Sequence, residues 1–279
     1  MPAVFLRDRA LIRVSGAEAQ SFLQNLITTD IVSLGTDEAR PGALLTPQGK
    51  ILFDFMIWQD GDSYVMETDG SQRDALLKRL AMYKLRAAVD LKADGEGVTV
   101  SWDDGSAGPG WEDSRFAKAG IAVFRNVGGH GDSDPAAYDA LRAVHGVAVS
   151  GLDYALQDAF PHDVLMDING GLSFRKGCYV GQEVVSRMQH RGTARRRVVT
   201  VTSAEPLPAS GSEITAAGKP IGTIGTVVGH EGIAIVRIDR AGEAIAAGKP
   251  LLAGTVPVTL ALPAWSGLVF PSAADEATA

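Results

Sequence analysis

Residues 176–183, Lys-Gly-Cys-Tyr-Val-Gly-Gln-Glu, set the only cysteine of a 279-residue chain between two glycines and close to a lysine. Gly177 and Gly181 open backbone angles that other residues avoid, so the segment reads as a tight turn leading into a helix over residues 182–188. Cys178 then lies near a helix N-terminus. The helix dipole and Lys176 both favour a thiolate, the form that attacks electrophiles or binds metals. On residue type alone, a lone cysteine is as readily a small buried apolar residue. Gln182 and Glu183 read as groups that fix the turn or cap the helix.

A second cluster follows directly. Arg187, His190, Arg191, Arg195, Arg196 and Arg197 fall within eleven residues, a pattern that suits a polyanion such as a carboxylate tail or an RNA backbone. The same residues would equally make a solvated face paired to local acids. Other chemistries are set aside by spacing. There is no Cys-x-x-Cys or His-x-x-x-His pair and the five histidines are scattered, so no stably bound metal is expected. One thiolate cannot hold an iron–sulfur cluster alone. The stretch from Gly42 to Gly49-Lys50 has the wrong spacing for a phosphate loop, and Ile51 stands where Ser or Thr is needed. Trp58, Tyr83, Trp102 and Trp111 read as packing residues before stacking platforms.

The net charge of −7 argues against bulk nucleic-acid binding, and the 46% hydrophobic content supports a large core in two or three compact units. No apolar run reaches membrane-spanning length. The charged start, Met-Pro-Ala-Val-Phe-Leu-Arg-Asp-Arg, does not read as a signal peptide, which leads to an expected cytoplasmic address. A single cysteine excludes an intramolecular disulfide.

The elements that must carry these groups alternate between strand and helix over the first 190 residues, an α+β pattern. Residues 11–14 read as a strand, after which Ser15 caps a helix bearing Ala19, Phe22, Leu23 and Leu26 on one face. Strands at 42–45 and 51–58 form a hairpin about the turn Thr46-Pro47-Gln48-Gly49. Further strands are expected at 64–68 and 98–102, helices at 71–84 and 135–145, and loops at 103–110 and 128–132. From about Arg195 the chain turns to short β-branched runs, at 197–202, 221–228, 233–238 and 256–262, a small β-barrel pattern. Ala-Ala-Gly-Lys-Pro occurs twice, at 216–220 and 246–250, and reads as two similar turns. Residues 270–279 read as a disordered tail.

The octapeptide resembles the defining motif of the YgfZ-type folate-binding proteins, relatives of the glycine cleavage system T protein and of mitochondrial iron–sulfur cluster assembly factors of the CAF17 type. Supporting segments are Val14-x-Gly16-x-x-Ala19-x-x-Phe22-Leu23-Gln24-x-x-x-Thr28-x-Asp30, residues 43–51, Asp113-x-Arg115 and Arg195-Arg196-Arg197. The resemblance covers roughly residues 4–265. It implies a T-protein-like ring of α+β subdomains around a central cavity, with a C-terminal β-barrel. It places an aminomethyltransferase-like region at 1–193, in two interleaved parts (1–45 with 135–193, and 46–134), the barrel at 194–268 and the tail at 269–279.

The resemblance also implies tetrahydrofolate as cofactor. Asp54 aligns with a T-protein acid that works beside the folate nitrogens, while Phe53 replaces the second acid, and Arg142 falls where a basic helix would grip a folate glutamate. The leading expectation is a folate-binding accessory protein for assembly or repair of iron–sulfur proteins, acting through Cys178. The alternatives are a tetrahydrofolate-dependent transferase with Asp54 as base, and a module linked to tRNA modification through the arginine cluster. The expected partners are accordingly iron–sulfur enzymes or assembly proteins and folate, with no membrane.

Overall fold

In the computed structural model, which describes residues 2–103 and 108–271, the alternating apolar residues of the N-terminal half close into a barrel. The elements are β1 (Ala3–Ser15), α1 (Ala19–Gln24), β2 (Glu38–Leu45), β3 (Ile51–Asp60), β4 (Ser63–Asp69), α2 (Arg73–Lys84), β5 (Asp90–Asp103), β6 (Trp111–Asp113), α3 (Ser114–Ala117) and β7 (Ala122–Val127). The strands run β1-β4-β3-β2-β6-β7-β5, and β5 returns to β1. The β2–β6 ladder is parallel and the others are antiparallel. Closure removes the open edges that would otherwise template aggregation.

The hairpin forms as its composition predicts. Thr46 N donates to Lys50 O at 2.8 Å and Gly49 N to Thr46 O at 2.9 Å, closing the turn between β2 and β3. β1 is far longer than the four residues its apolar run suggests, because register shifts on either side of Ala10 break the two-residue period. Ser15 belongs to this strand and does not cap the helix. Helix α1 starts at Ala19, with Glu18 at the N-cap and no side-chain cap. Leu76 and Leu80, one turn apart on α2, join Leu23 and Ile27 over Ile12, Val14, Leu44, Phe55, Ile57 and Met66 of the barrel strands.

Charges also lie inside this unit. Glu67 on β4 and Asp113 at the end of β6 are fully buried, and Arg125 on β7 bridges them at 2.7 and 2.9 Å. Arg9 adds a second contact to Glu67 and Arg115 a second to Asp113, each at 2.7 Å. Burial alone would raise both carboxyls, but the facing arginines prevail: Glu67 is lowered and Asp113 is held down to about 2. The Asp113-x-Arg115 segment is therefore an ion pair that fastens β6 to α3. Trp58 is buried and stacks on Trp111 with centroids 5.2 Å apart, as packing residues should.

The C-terminal elements are α4 (Pro135–His145), α5 (Gln182–His190), β8 (Arg196–Thr202), β9 (Glu213–Ala216), β10 (Lys219–Val228), β11 (Glu231–Arg237), α6 (Ile238–Ala246), β12 (Leu251–Ala253), β13 (Val256–Pro257) and β14 (Thr259–Ala261). Their strands form a barrel-like antiparallel sheet in the order β13-β12-β9-β10-β11-β8-β14. Ala241 and Ala244 of α6 pack on Val199, Val201, Ile214, Ile221 and Val236 of that sheet.

The repeated pentapeptide makes two different structures. At 216–220 it is a β-hairpin turn with Ala217 and Gly218 both left-handed (φ 50° and 76°), and at 246–250 it ends α6 with Gly248 left-handed (φ 60°). Of the tail read at 270–279, Phe270 packs on the core of this sheet, and residues 272–279 lie outside the described residues. The loop read at 103–110 is likewise only partly described.

The chain divides into two compact units, 1–135 with 166–182 and 136–165 with 183–279. The limit drawn on the sequence at 134 lies within one residue of the first of these, while those at 45 and 193 have no counterpart. The cysteine motif stays with the N-terminal strands because its contacts are to β2 and to the residues after α1.

Candidate functional site

The thiol sits at the top of an anchored turn. Gly177 and Cys178 are exposed while the residues on either side, Lys176 and Tyr179, are buried. Three attachments hold the turn from below. The Lys176 amine donates to Ile27 O at 2.6 Å and Thr29 O at 2.8 Å. The Tyr179 hydroxyl donates to Ser173 O at 3.1 Å, and its ring lies 5.2 Å from the Lys176 nitrogen. Gly181, at φ 80°, brings its backbone against the hairpin turn, so close that a Cβ there would lie 2.5 Å from Thr46 O.

Burial draws the Lys176 amine down to about 8, opposed by the charge of Asp30, and burial raises the Tyr179 phenol. The amine that the sequence reading set beside the thiolate is thus engaged with main-chain carbonyls.

The floor of the turn is a polar seam that residue-level reading did not assign. Thr28 is buried; its hydroxyl donates to Gly171 O at 2.6 Å and accepts from Ala43 N at 2.9 Å, joining the chain before the motif to β2. Thr29 donates to Pro41 O at 2.8 Å. Gln24 donates to Asp30 at 2.9 Å and accepts from Ile31 N at 2.8 Å. The available signal was two threonines placed between apolar runs and an acid, but their partners lie up to 143 residues away.

The other expected site residues are dispersed. Asp54 lies mid-strand on β3, half-buried and paired in register with Ala43, and its carbonyl accepts from Thr68 at 2.9 Å. Arg142 is not on a surface. It is 1% exposed in the second unit, where its terminal nitrogens donate to Val147 O, Asp153, Asp139 and Thr226 at 2.7–3.1 Å.

The arginine cluster does not form one patch. Strand alternation sends Arg196 and Arg197 to opposite faces: Arg197 is buried and donates to His162 O at 2.7 Å, and Arg196 pairs with Asp158 at 3.0 Å. Arg187 pairs with Glu183 one helical turn away at 2.7 Å. Arg191 and Arg195 are exposed. Gln182 N closes the turn onto Tyr179 O at 3.2 Å. Among the described residues no group of three His, Cys, Asp or Glu side chains is placed to hold a metal, and no helix is long and apolar enough to cross a membrane.

Asp163, next to His162 in the second unit, is the buried acid with the opposite behaviour. Burial raises its carboxyl to about 6, against the hydrogen bond from Phe160 N and the charges of Arg196 and Arg197. Between about pH 4 and 6 the unfolded chain releases a proton that the folded chain keeps, so stability falls as pH rises through that window. The deficit at neutral pH is on the order of 2–3 kcal/mol. Asp163→Asn is expected to raise the melting temperature at pH 7 and to flatten the pH dependence. Urea unfolding at pH 4.5 and 7 checks it, and an unchanged difference between the two would refute the assignment.

Comparisons with known proteins agree with this layout. A family model described as "CAF17, C-terminal beta-barrel domain" matches residues 195–268. The chain is 31% identical over 292 residues to the mitochondrial iron-sulfur cluster assembly factor IBA57 homolog of Pyricularia oryzae, covering 89% of this chain and 75% of that one. It belongs to the IBA57 family. Mouse mitochondrial IBA57 is 30% identical over 273 residues, covering 83% of this chain and 76% of its own.

A solved structure, glycine cleavage system aminomethyltransferase T from Bartonella henselae, superposes with a TM-score of 0.67 at 16% identity, over 94% of this chain and 85% of that one. The IBA57-family chain therefore has the T-protein fold. The cytoplasmic address read from the N-terminus is overturned by these relatives, whose names place them in mitochondria.

Proposed function

We propose that this IBA57-family chain serves in the assembly or repair of iron–sulfur proteins, and that Cys178 is the group that acts. The observation that carries the reading is the exposed thiol on a turn held by the buried Lys176 and Tyr179. A cysteine kept for packing would be buried in their place. In the proposed step the Cys178 thiol gives its proton to water. Its sulfur then takes the place of one ligand on an iron of a cluster carried by a partner protein. No oxidation state changes: the displaced ligand takes up a proton from water, and when the cluster is handed on a ligand of the recipient replaces the Cys178 sulfur, which is reprotonated. One exposed sulfur suits such transient exchange, since stable cluster binding takes four ligands.

The residues read as folate contacts fit that ligand less well. Arg142 is engaged within its own unit, and Phe53 stands where the T protein has a second acid, so that one acid of the two is kept, at Asp54. The proposed step needs no folate. An RNA partner has less support still, since Arg187, Arg196 and Arg197 are engaged within the fold.

The test is to delete the gene, re-supply the wild type, Cys178→Ala or Asp54→Asn, and assay several 4Fe–4S enzymes in extracts. Wild type and Asp54→Asn are expected to restore activity, while Cys178→Ala, folded and equally abundant, restores none. Full restoration by Cys178→Ala would sink the thiol mechanism. Loss with Asp54→Asn alone would favour one-carbon transfer instead.

A further inference from the structure

A buried ammonium is costly unless its donors are met. Among the described residues Lys176 meets that cost without a carboxylate at contact distance. Its partners are the carbonyls of Ile27 and Thr29, at 2.6 and 2.8 Å, and the face of Tyr179, with the charge of Asp30 acting from farther away. Both carbonyls belong to the segment that follows α1. That segment is itself fixed, by Thr28 to Gly171 and Ala43, and by Gln24 to Asp30 and Ile31. Lys176 thus joins the motif to a braced support.

The geometry around the thiol explains what such a tether does. Cys178 is two residues from Lys176 and one from Tyr179, so its Cα lies within about 7 Å of an anchored position on one side and 4 Å on the other. Between the anchors Gly177 has open space on its Cβ side, with nothing within 4 Å. Among the described residues no atom lies where a side chain at that position would pack, and glycine carries the largest backbone freedom.

We propose that Lys176 is a positioning residue, whose buried amine ties the turn to the Ile27–Thr29 carbonyls and so fixes where the Cys178 thiol is presented. The inference rests on the reading of Cys178 as the acting group. A longer, planar guanidinium cannot place one nitrogen between two carbonyls in the same way, and methionine fills the space without a donor.

The chain has a single cysteine, so a nitroxide placed on Cys178 of the full-length protein reports this turn without further substitution. Wild type is expected to give the spectrum of a restricted label. Lys176→Met is expected to add a fast component with a correlation time shortened several-fold, and to lose restoration of the 4Fe–4S enzymes while still unfolding cooperatively. Lys176→Gln, which keeps an uncharged amide donor, is measured in the same way if the methionine variant does not fold.

An unchanged spectrum in a folded variant would overturn the positioning role and leave the thiol reading standing. Restoration by Cys178→Ala would do the reverse, since the spectral comparison does not depend on activity. Failure of both lysine variants to fold would make Lys176 a folding residue and overturn the proposal.

Discussion

Arg142→Met is expected to lower the unfolding free energy by about 3–5 kcal/mol, measured by urea titration, with no change that depends on added folate. The guanidinium is 1% exposed and Asp153 is fully buried. Asp153 also accepts from Val149 N at 2.8 Å and Thr226 N at 2.7 Å, so the pair fixes the loop after α4 against β10. Methionine matches the volume and supplies no donor. The variant would leave a buried carboxylate without its counter-charge and the Val147 carbonyl and Thr226 hydroxyl without a partner. Had Arg142 gripped a folate tail from the surface, the pattern would reverse: near-wild-type stability and weakened folate affinity in equilibrium dialysis. That result would remove the structural assignment.

Gly181→Ala should destabilise by about 2–5 kcal/mol, and with it abolish restoration of iron–sulfur enzyme activity. Two costs add. A left-handed backbone costs an L-residue about 1–2 kcal/mol, and the added methyl would lie 2.5 Å from Thr46 O, 3.0 Å from Leu45 Cβ and 3.1 Å from Gly49 Cα. Those atoms belong to the end of β2 and the closed turn that follows it and cannot rotate away, so overpacking adds roughly 1–3 kcal/mol. At roughly 2–4 °C per kcal/mol for a chain of this size, the melting temperature should fall measurably. Gly177 is the internal control. It faces open space, and Gly177→Ala should stay within about 0.5 kcal/mol of wild type. Equal melting temperatures for the two variants would show that the motif does not abut the hairpin.

Local pattern was enough for some of these elements and not for others. The β2–β3 hairpin was legible because alternation on both sides of Thr46-Pro47-Gln48-Gly49 agrees with the turn chemistry. Helix α4 was legible to the residue at both ends, with Pro135 at its start and a glycine just past its last residue. Only four residues of β1 carry a strand pattern, because its bulged, arginine-bearing half has no two-residue period. β6 and β7 carry no strand signal of their own. β6 has three residues, and β7 carries Arg125, whose burial depends on Glu67 and Asp113 supplied by other strands.

The same division runs through the site. From the sequence came the one residue able to do thiol chemistry, Gly181 with the left-handed backbone its turn uses (Gly177, read the same way, does not have one), and a family resemblance that the IBA57 relatives bear out. These are local facts, carried by residue type and spacing within eight positions. The tertiary structure alone decided which charges are buried. It moved Arg142 inside by pairing it with Asp153 and Thr226, 11 and 84 residues away, and separated Arg196 from Arg197. It also turned Lys176 from a neighbour of the thiol into a tether on carbonyls 147 and 149 residues distant. Burial is a sum over neighbours brought together by folding, and no local period in the chain encodes who those neighbours are.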